Sequence, residues 1–232
     1  MHALDECALS VRFTRMTDQE AHDLYNEFLA HASTDRLQKI LARYEQLRMI
    51  EGVPGDIVEC GVFKGAGFYT LAKLNHIMMP HAGRKIIGFD LFGAPGNKKL
   101  KKKTDRDVLE WHENKTVGMG EIQSNLAKNG IHNTELIAGD VVQTTKVYAK
   151  DNPGFRIAML YLDVDNYEGT LAILRNFFPL VAPGGVVVFD EYGQCGHGES
   201  DAVDEYFKGS KYKLRMPPRA ASLSAYVIKE GF

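Results

Sequence analysis

The stretch "IAMLYLDVDNYEGT", residues 157–170, joins two patterns in one short span. Apolar and aromatic residues run unbroken to Leu162, as in a strand buried on both faces, and the pattern then turns helical. Between the two lie a pair of carboxylates, Asp163 and Asp165, one residue apart. On an extended backbone the two share a face. Like charges that close raise at least one pKa unless something positive sits beside them.

The same strand-to-helix alternation extends in both directions. Apolar runs occur at "DIVEC" (56–60), "KIIGFD" (85–90), "TELIAGD" (134–140) and "GVVVFD" (185–190), and helical spacing lies between them at about 66–79, 118–129, 143–150 and 168–178. Buried strands separated by helices predict a parallel sheet covered on both faces. The chain closes differently: "KYKLRM" (211–216) and "SLSAYVIKE" (222–230) flank "PPRAA" and read as an antiparallel pair. Residues 1–52 read as a helical cover ahead of a domain at 53–232. "TDQEAHDLYNEFLAHA" opens with the capping-box spacing Thr17–Glu20 and has an apolar side at Leu24, Phe28 and Leu29. "STDRLQKILARYEQLRMIEG" carries an apolar stripe at Leu37, Ile40, Leu41, Tyr44 and Leu47. Such stripes cover the domain or pair with a second subunit, so a homodimer is compatible with them.

The strands end in acids: Asp90, Asp140, Asp163 and Asp190, with Glu59 near the end of the first. Open α/β sheets bind ligands at their carboxyl edge, so the acids gather on one functional rim. Singly, each acid could instead cap a helix; Asp165 or Asn166 would do so before Glu168. The glycine loop "VECGVFKGAG" (58–67) follows the first strand but lacks both GxGxxG and GxxxxGK[ST], so it is not built for a pyrophosphate. Gly61 and Gly65 let the loop turn and approach a ligand, Glu59 can accept a hydrogen bond from an amine, and Asp90 can bind ribose hydroxyls. An adenosine with an ammonium-bearing tail is S-adenosylmethionine, and Asp140 would then face the adenine amino group.

Three segments, "VPGDIVECGVFKGAG" (53–67), "LDVDNYEGTLAILRNFFPLVAPGGVVVFDEYG" (162–193) and "DAVDEYF" (201–207), resemble the macrocin O-methyltransferase family. The resemblance covers about residues 50–210 and is most specific over 155–192. It implies a Rossmann-like class I methyltransferase fold: a mostly parallel seven-stranded sheet with helices on both faces. It also implies S-adenosylmethionine- and metal-dependent methylation of a sugar hydroxyl. The metal ligands would be Asp163, Asp190 and Glu191, and the general base Asp165. The family has a second aspartate where this chain has Glu191. Carboxylates without thiolates suit a hard cation, Mg²⁺ or else Mn²⁺ or Ca²⁺. That cation answers the like-charge problem and would activate the acceptor hydroxyl.

His197, in "GQCGHGES" (193–200), is a competing base, and Ser200 is read as the cap of the following helix. "KKLKKK" (98–103) reads as a solvated loop or as a lid over a nucleotide sugar; Trp111 and His112 could stack on an acceptor or join the core. The formal net charge of -2 and the lack of interleaved aromatics argue against nucleic acid. Three scattered cysteines, the lack of a long apolar run and an N-terminus without a signal-peptide core lead us to expect a cytoplasmic protein away from membranes. Three rivals stand beside the sugar methyltransferase: a catechol or phenol methyltransferase, a non-catalytic cofactor- or metal-binding module, and a nicotinamide dehydrogenase disfavoured by the glycine spacing.

Overall fold

The computed structural model describes residues 16–96, 100–112, 115, 117–220 and 222–231; Cys7, Lys98 and Lys99 lie outside them. The chain divides into two compact units, with the boundary between Ser33 and Thr34. The first holds α1 (Asp18–His31), which starts with the expected capping box. The Glu20 N–H donates to Thr17 Oγ1 (3.2 Å) and the Glu20 carboxylate accepts from the Thr17 N–H (2.7 Å).

The second unit begins with α2 (Thr34–Met49), so this helix belongs with the sheet. It continues through β1 (Asp56–Cys60), α3 (Ala66–Met78), β2 (Ile86–Asp90), α4 (Lys103–His112), α5 (Met119–Ala127) and β3 (Thr134–Ala138). Then come α6 (Val141–Asp151), β4 (Ile157–Leu162), α7 (Tyr167–Phe177), β5 (Val181–Phe189), α8 (Glu199–Phe207) and β6 (Ala225–Ile228). The strands form one sheet in the order β3-β2-β1-β4-β5-β6, parallel except for β6, which runs antiparallel to β5.

Every residue of β4 is buried, because β1 and β5 flank it and helices cover both faces. Alternate side chains feed two cores, as the pleat requires. Leu160 and Leu162 join Phe89, Phe177 and Phe189 beneath α6, α7 and α8. Met159 and Tyr161 join Ile57, Phe68 and Val188 beneath α2, α3 and α5. Each large apolar side chain fully buried here contributes about 1.5–3 kcal/mol.

Six strands stand among the described residues, where seven were expected. "KYKLRM" supplies only a single bridge, in which Arg215 and Tyr226 exchange backbone hydrogen bonds of 3.0 and 2.8 Å. Pro217 and Pro218 follow at once and have no N–H to extend the ladder. The irregular segment after β2 instead contains α4. Its helical period was masked by the preceding lysines and by only a few apolar residues. In α2 the buried side is Ala42, Arg43, Gln46 and Leu47, while Leu37, Ile40, Leu41 and Tyr44 are exposed. Ser200 does not cap α8: Gly198 occupies that place, and Ser200 Oγ accepts from the Gly193 N–H (2.8 Å).

Candidate active site

The carboxyl ends of β1, β2, β4 and β5 bring the predicted acids to one rim. How they arrive differs from strand parity. β4 stops at Leu162, and Asp165 adopts a left-handed backbone (φ 57°). For a non-glycine residue that costs about 1–3 kcal/mol, a strain typical of functional positions. Capping falls to Asn166, whose Oδ1 accepts from the Gly169 N–H (2.7 Å), so the Asp165 carboxylate is free of that duty.

Asp163, Asp165 and Glu191 each offer an oxygen within 4.8 Å of the others. Burial first, then the charges of Asp190 and Asp165, holds the Asp163 carboxyl well above the usual carboxylate range. Burial and the same two neighbours push Glu191 up to about 7. His197 Nδ1 stands 3.4 Å from Asp165 Oδ1, each side chain only 16% exposed, and this contact raises the imidazole pKa. Asp190 is not one of this trio, but its charge acts on both Asp163 and Glu191. Its Oδ1 accepts from the Tyr161 hydroxyl and its Oδ2 from Lys39 Nζ (3.3 Å). Of the predicted ligands, Asp163 and Glu191 join the trio with Asp165, and Asp190 neighbours them with its oxygens hydrogen-bonded to Tyr161 and Lys39.

Toward β1, Glu59 is buried and lies 3.7 Å from Arg43, whose guanidinium also stacks over the Tyr161 ring at 4.7 Å. Burial pushes the Glu59 carboxyl up to about 8 against the pull of Arg43. Asp90 Oδ2 accepts the Val62 and Phe63 N–H groups of the glycine loop (2.7 and 2.8 Å), fixing the loop against β2. Gly61 serves the fold more than a ligand. Its φ is 97°, and a Cβ there would collide with the backbone of Asp163, 2.6 Å from the carbonyl carbon. Gly65 precedes α3 in a left-handed conformation. Asp140 lies just past β3, and its Oδ1 caps α6 by accepting from the Val142 N–H (2.9 Å).

A cavity of about 430 Å³ opens beside the trio, lined by Asp107, Val108, Trp111, His112, Asp165, Glu191 and His197. Trp111 is exposed and outside the core, and the His112 ring meets Phe63 edge-on at 4.8 Å. The acids at the sheet edge thus face a ligand-sized space with an aromatic wall.

The profile of the macrocin-O-methyltransferase (TylF) family matches residues 10–217. The chain belongs to this family. Among its relatives is the 8-demethyl-8-(2,3-dimethoxy-alpha-L-rhamnosyl)-tetracenomycin-C 4'-O-methyltransferase of Streptomyces olivaceus. It is 29% identical over 167 residues, 68% of this chain and 60% of the relative. The mycinamicin III 3''-O-methyltransferase of Micromonospora griseorubida is 28% identical over 67% of this chain and 61% of its own. The chain thus aligns with about three-fifths of the length of these curated relatives. The solved structure of the calicheamicin methyltransferase CalS11 superposes with a TM-score of 0.71 at 25% identity, covering 93% of this chain and 95% of that one.

Within this chain, sequence reasoning missed the polar side of α2. Lys39, Arg43 and Gln46 follow an i, i+4, i+7 spacing, but an apolar stripe on the same helix drew attention away from them. It also missed Asp105 and Asp107, because α4 was read as loop. The lysine run is partly docked: Lys102 pairs with Asp201 of α8, and the Lys101 N–H donates to Glu168 (3.0 Å). No helix among the described residues is long and apolar enough to cross a membrane.

Proposed function

We propose that the chain is an S-adenosylmethionine-dependent O-methyltransferase that acts on a hydroxyl of a sugar or sugar-bearing metabolite. In this reading a divalent cation and the Asp165 base assist. The observation that carries the reading is the convergence of Asp163, Asp165 and Glu191, of which Asp165 and Glu191 line the cavity. Family membership supports the class of chemistry, and the named relatives act on sugar-bearing natural products.

The residues fit both absent groups. Glu191 Oε2 is buried without a hydrogen-bond partner, and the trio is an all-oxygen donor set suited to Mg²⁺. Glu59 Oε2 is likewise buried and unpartnered, as suits an acceptor waiting for an ammonium group. Asp163 and Glu191 would hold the cation, with Asp190 close behind. Glu59 would take the amine of S-adenosylmethionine, Asp90 its ribose and Asp140 its adenine amino group, with Gly61 and Gly65 shaping the loop between. The cation supplies Lewis-acid polarisation of the acceptor oxygen, and the sulfonium supplies an electrophilic methyl group.

The chain's own groups do the rest. Asp165 would accept the proton of the acceptor hydroxyl as that oxygen takes up the methyl group. His197 Nδ1 lies 3.4 Å from Asp165 Oδ1, beside the carboxylate. Trp111 and His112 wall the acceptor in, so that much of the rate comes from holding two reactants in line. The same aromatic wall suits a phenolic ring, which makes a catechol-type acceptor the second reading.

Calorimetric titration with S-adenosylmethionine, and with NAD in parallel, tests the cofactor. Saturable binding of the first alone is expected. Turnover is then measured on nucleotide sugars, glycosylated metabolites and catechols, with and without EDTA. Turnover of sugars that EDTA abolishes supports the proposal, and turnover of catechols alone replaces it with the second reading. Binding without turnover on any acceptor would leave a non-catalytic module.

A further inference from the structure

Outside the acid rim, a further carboxylate is almost fully buried. Asp105, in the first turn of α4, is 1% exposed and makes no salt bridge among the described residues. Besides the Thr104 hydroxyl of its own helix (3.4 Å to Oδ1), its oxygens reach the N-terminal ends of α7 and α8, far away in sequence. Oδ2 accepts from the Tyr167 N–H (3.0 Å) and Oδ1 from the Gly198 N–H (3.0 Å). Tyr167 lies two residues past Asp165, and Gly198 directly follows His197. The later turns of the same helix, at Asp107, Val108, Trp111 and His112, line the cavity.

We propose that Asp105 is a positioning residue: it clamps the Asp165 and His197 loops together and ties both to the acceptor wall on α4. This rests on the reading of Asp165, Asp163 and Glu191 as the reacting centre. A carboxylate suits the task because it is acceptor-only, with room for two N–H donors at once. An amide could satisfy one donor and would oppose the other with its own N–H₂.

The packing around the clamp agrees with this role. A Cβ on Gly198 would run into the Asp105 carboxylate and come within 2.6 Å of the Tyr167 nitrogen, so this glycine allows the loops to close. A second buried carboxylate reinforces the other side: Glu199 Oε1 accepts from the Glu191 N–H (2.9 Å). The left-handed Asp165 therefore sits between two anchored points, Asp163 at the end of the sheet and Tyr167 on Asp105. Strain of that kind persists only where surrounding structure over-determines it.

The test uses the full chain, as wild type and as D105N, D105A and G198A. Mn²⁺ affinity and S-adenosylmethionine affinity are measured by calorimetry. Acrylamide quenching is measured on Trp111, the sole tryptophan and part of α4. D105N is expected to weaken Mn²⁺ binding about tenfold, the usual cost of losing an outer-shell support. It should also make Trp111 easier to quench while S-adenosylmethionine affinity holds. D105A and G198A should go further in the same direction.

Unchanged Mn²⁺ binding and unchanged quenching in D105N and G198A, both cooperatively folded, would overturn the clamp. So would an equal loss of S-adenosylmethionine and Mn²⁺ affinity, which marks general loosening, or a failure of all three variants to unfold cooperatively. If the wild type takes up no Mn²⁺, the metal reading falls on its own. Trp111 quenching then decides: a rise in D105N upholds the clamp, and no rise removes it.

Discussion

Replacing Glu59 by glutamine should change how the stability of this protein depends on pH. The wild-type carboxyl is 1% exposed, and burial lifts it from an ordinary 4.5 to about 8. In an unfolded chain the same group titrates near its ordinary value. Between those two values the folded state keeps a proton that the unfolded state has lost. The group's contribution is therefore fully present at low pH and is lost as pH rises toward about 8. At about 1.4 kcal/mol per pKa unit, moving from pH ~5 to pH ~8 costs the wild type roughly 3 kcal/mol through this group.

Glutamine mimics the protonated acid and cannot titrate, and Arg43 keeps the Tyr161 ring and the charges of Asp190 and Asp163 as partners. The two proteins should thus be nearly equal in stability at pH ~5. The variant should be ahead by roughly 3 kcal/mol at pH ~8, which for a chain of this size is about 6–12 °C in Tm. Urea unfolding of both proteins, without cofactor, at several pH values reads this gap. Titrating groups far from residue 59 cancel in the difference, and the neighbouring Asp163 and Asp190 set how sharp the gap is. A gap that stays constant with pH would refute the burial argument and return Glu59 to an ordinary ion pair with Arg43.

Asp165→Asn should lower kcat by on the order of 10²–10⁴ while leaving S-adenosylmethionine affinity intact by calorimetry; unchanged turnover would remove Asp165 as base. Mg²⁺ uptake should release protons and tighten as pH rises through about 7, because Glu191 and Asp163 must give up protons to bind it. Calorimetry in two buffers of different ionisation enthalpy counts those protons, and proton-free, pH-independent binding would contradict the site. Gly61→Ala should destabilise by about 3 kcal/mol or more, since its Cβ meets the Asp163 backbone; an ordinary unfolding midpoint would show that β1 and β4 can part there. Phe177→Ala should cost about 3–5 kcal/mol, because the ring is fully buried against Phe89, Tyr148 and Phe155, and a smaller loss would mean the core refills.

The sequence by itself determined the alternating sheet, the acids at its carboxyl edge and the family. These follow from local period and spacing: β4 must be buried on both faces to carry "IAMLYL", and acids that follow such strands can only emerge at one rim. Asn166 rather than Asp165 as the helix cap was already among the local options. Three things depended on contacts between residues far apart in the chain, which no local period encodes. The left-handed turn at Asp165, not strand parity, brings its carboxylate to Asp163 and Glu191. The polar face of α2 reaches the rim because the helix packs against α3 and β5, so Arg43 meets Glu59 and Lys39 meets Asp190. Asp105 accepts from residues 62 and 93 positions away, a pairing visible only once α4 is packed against both loops. Periodicity reports which face of an element avoids water, whereas these contacts are set by which elements the sheet order places side by side.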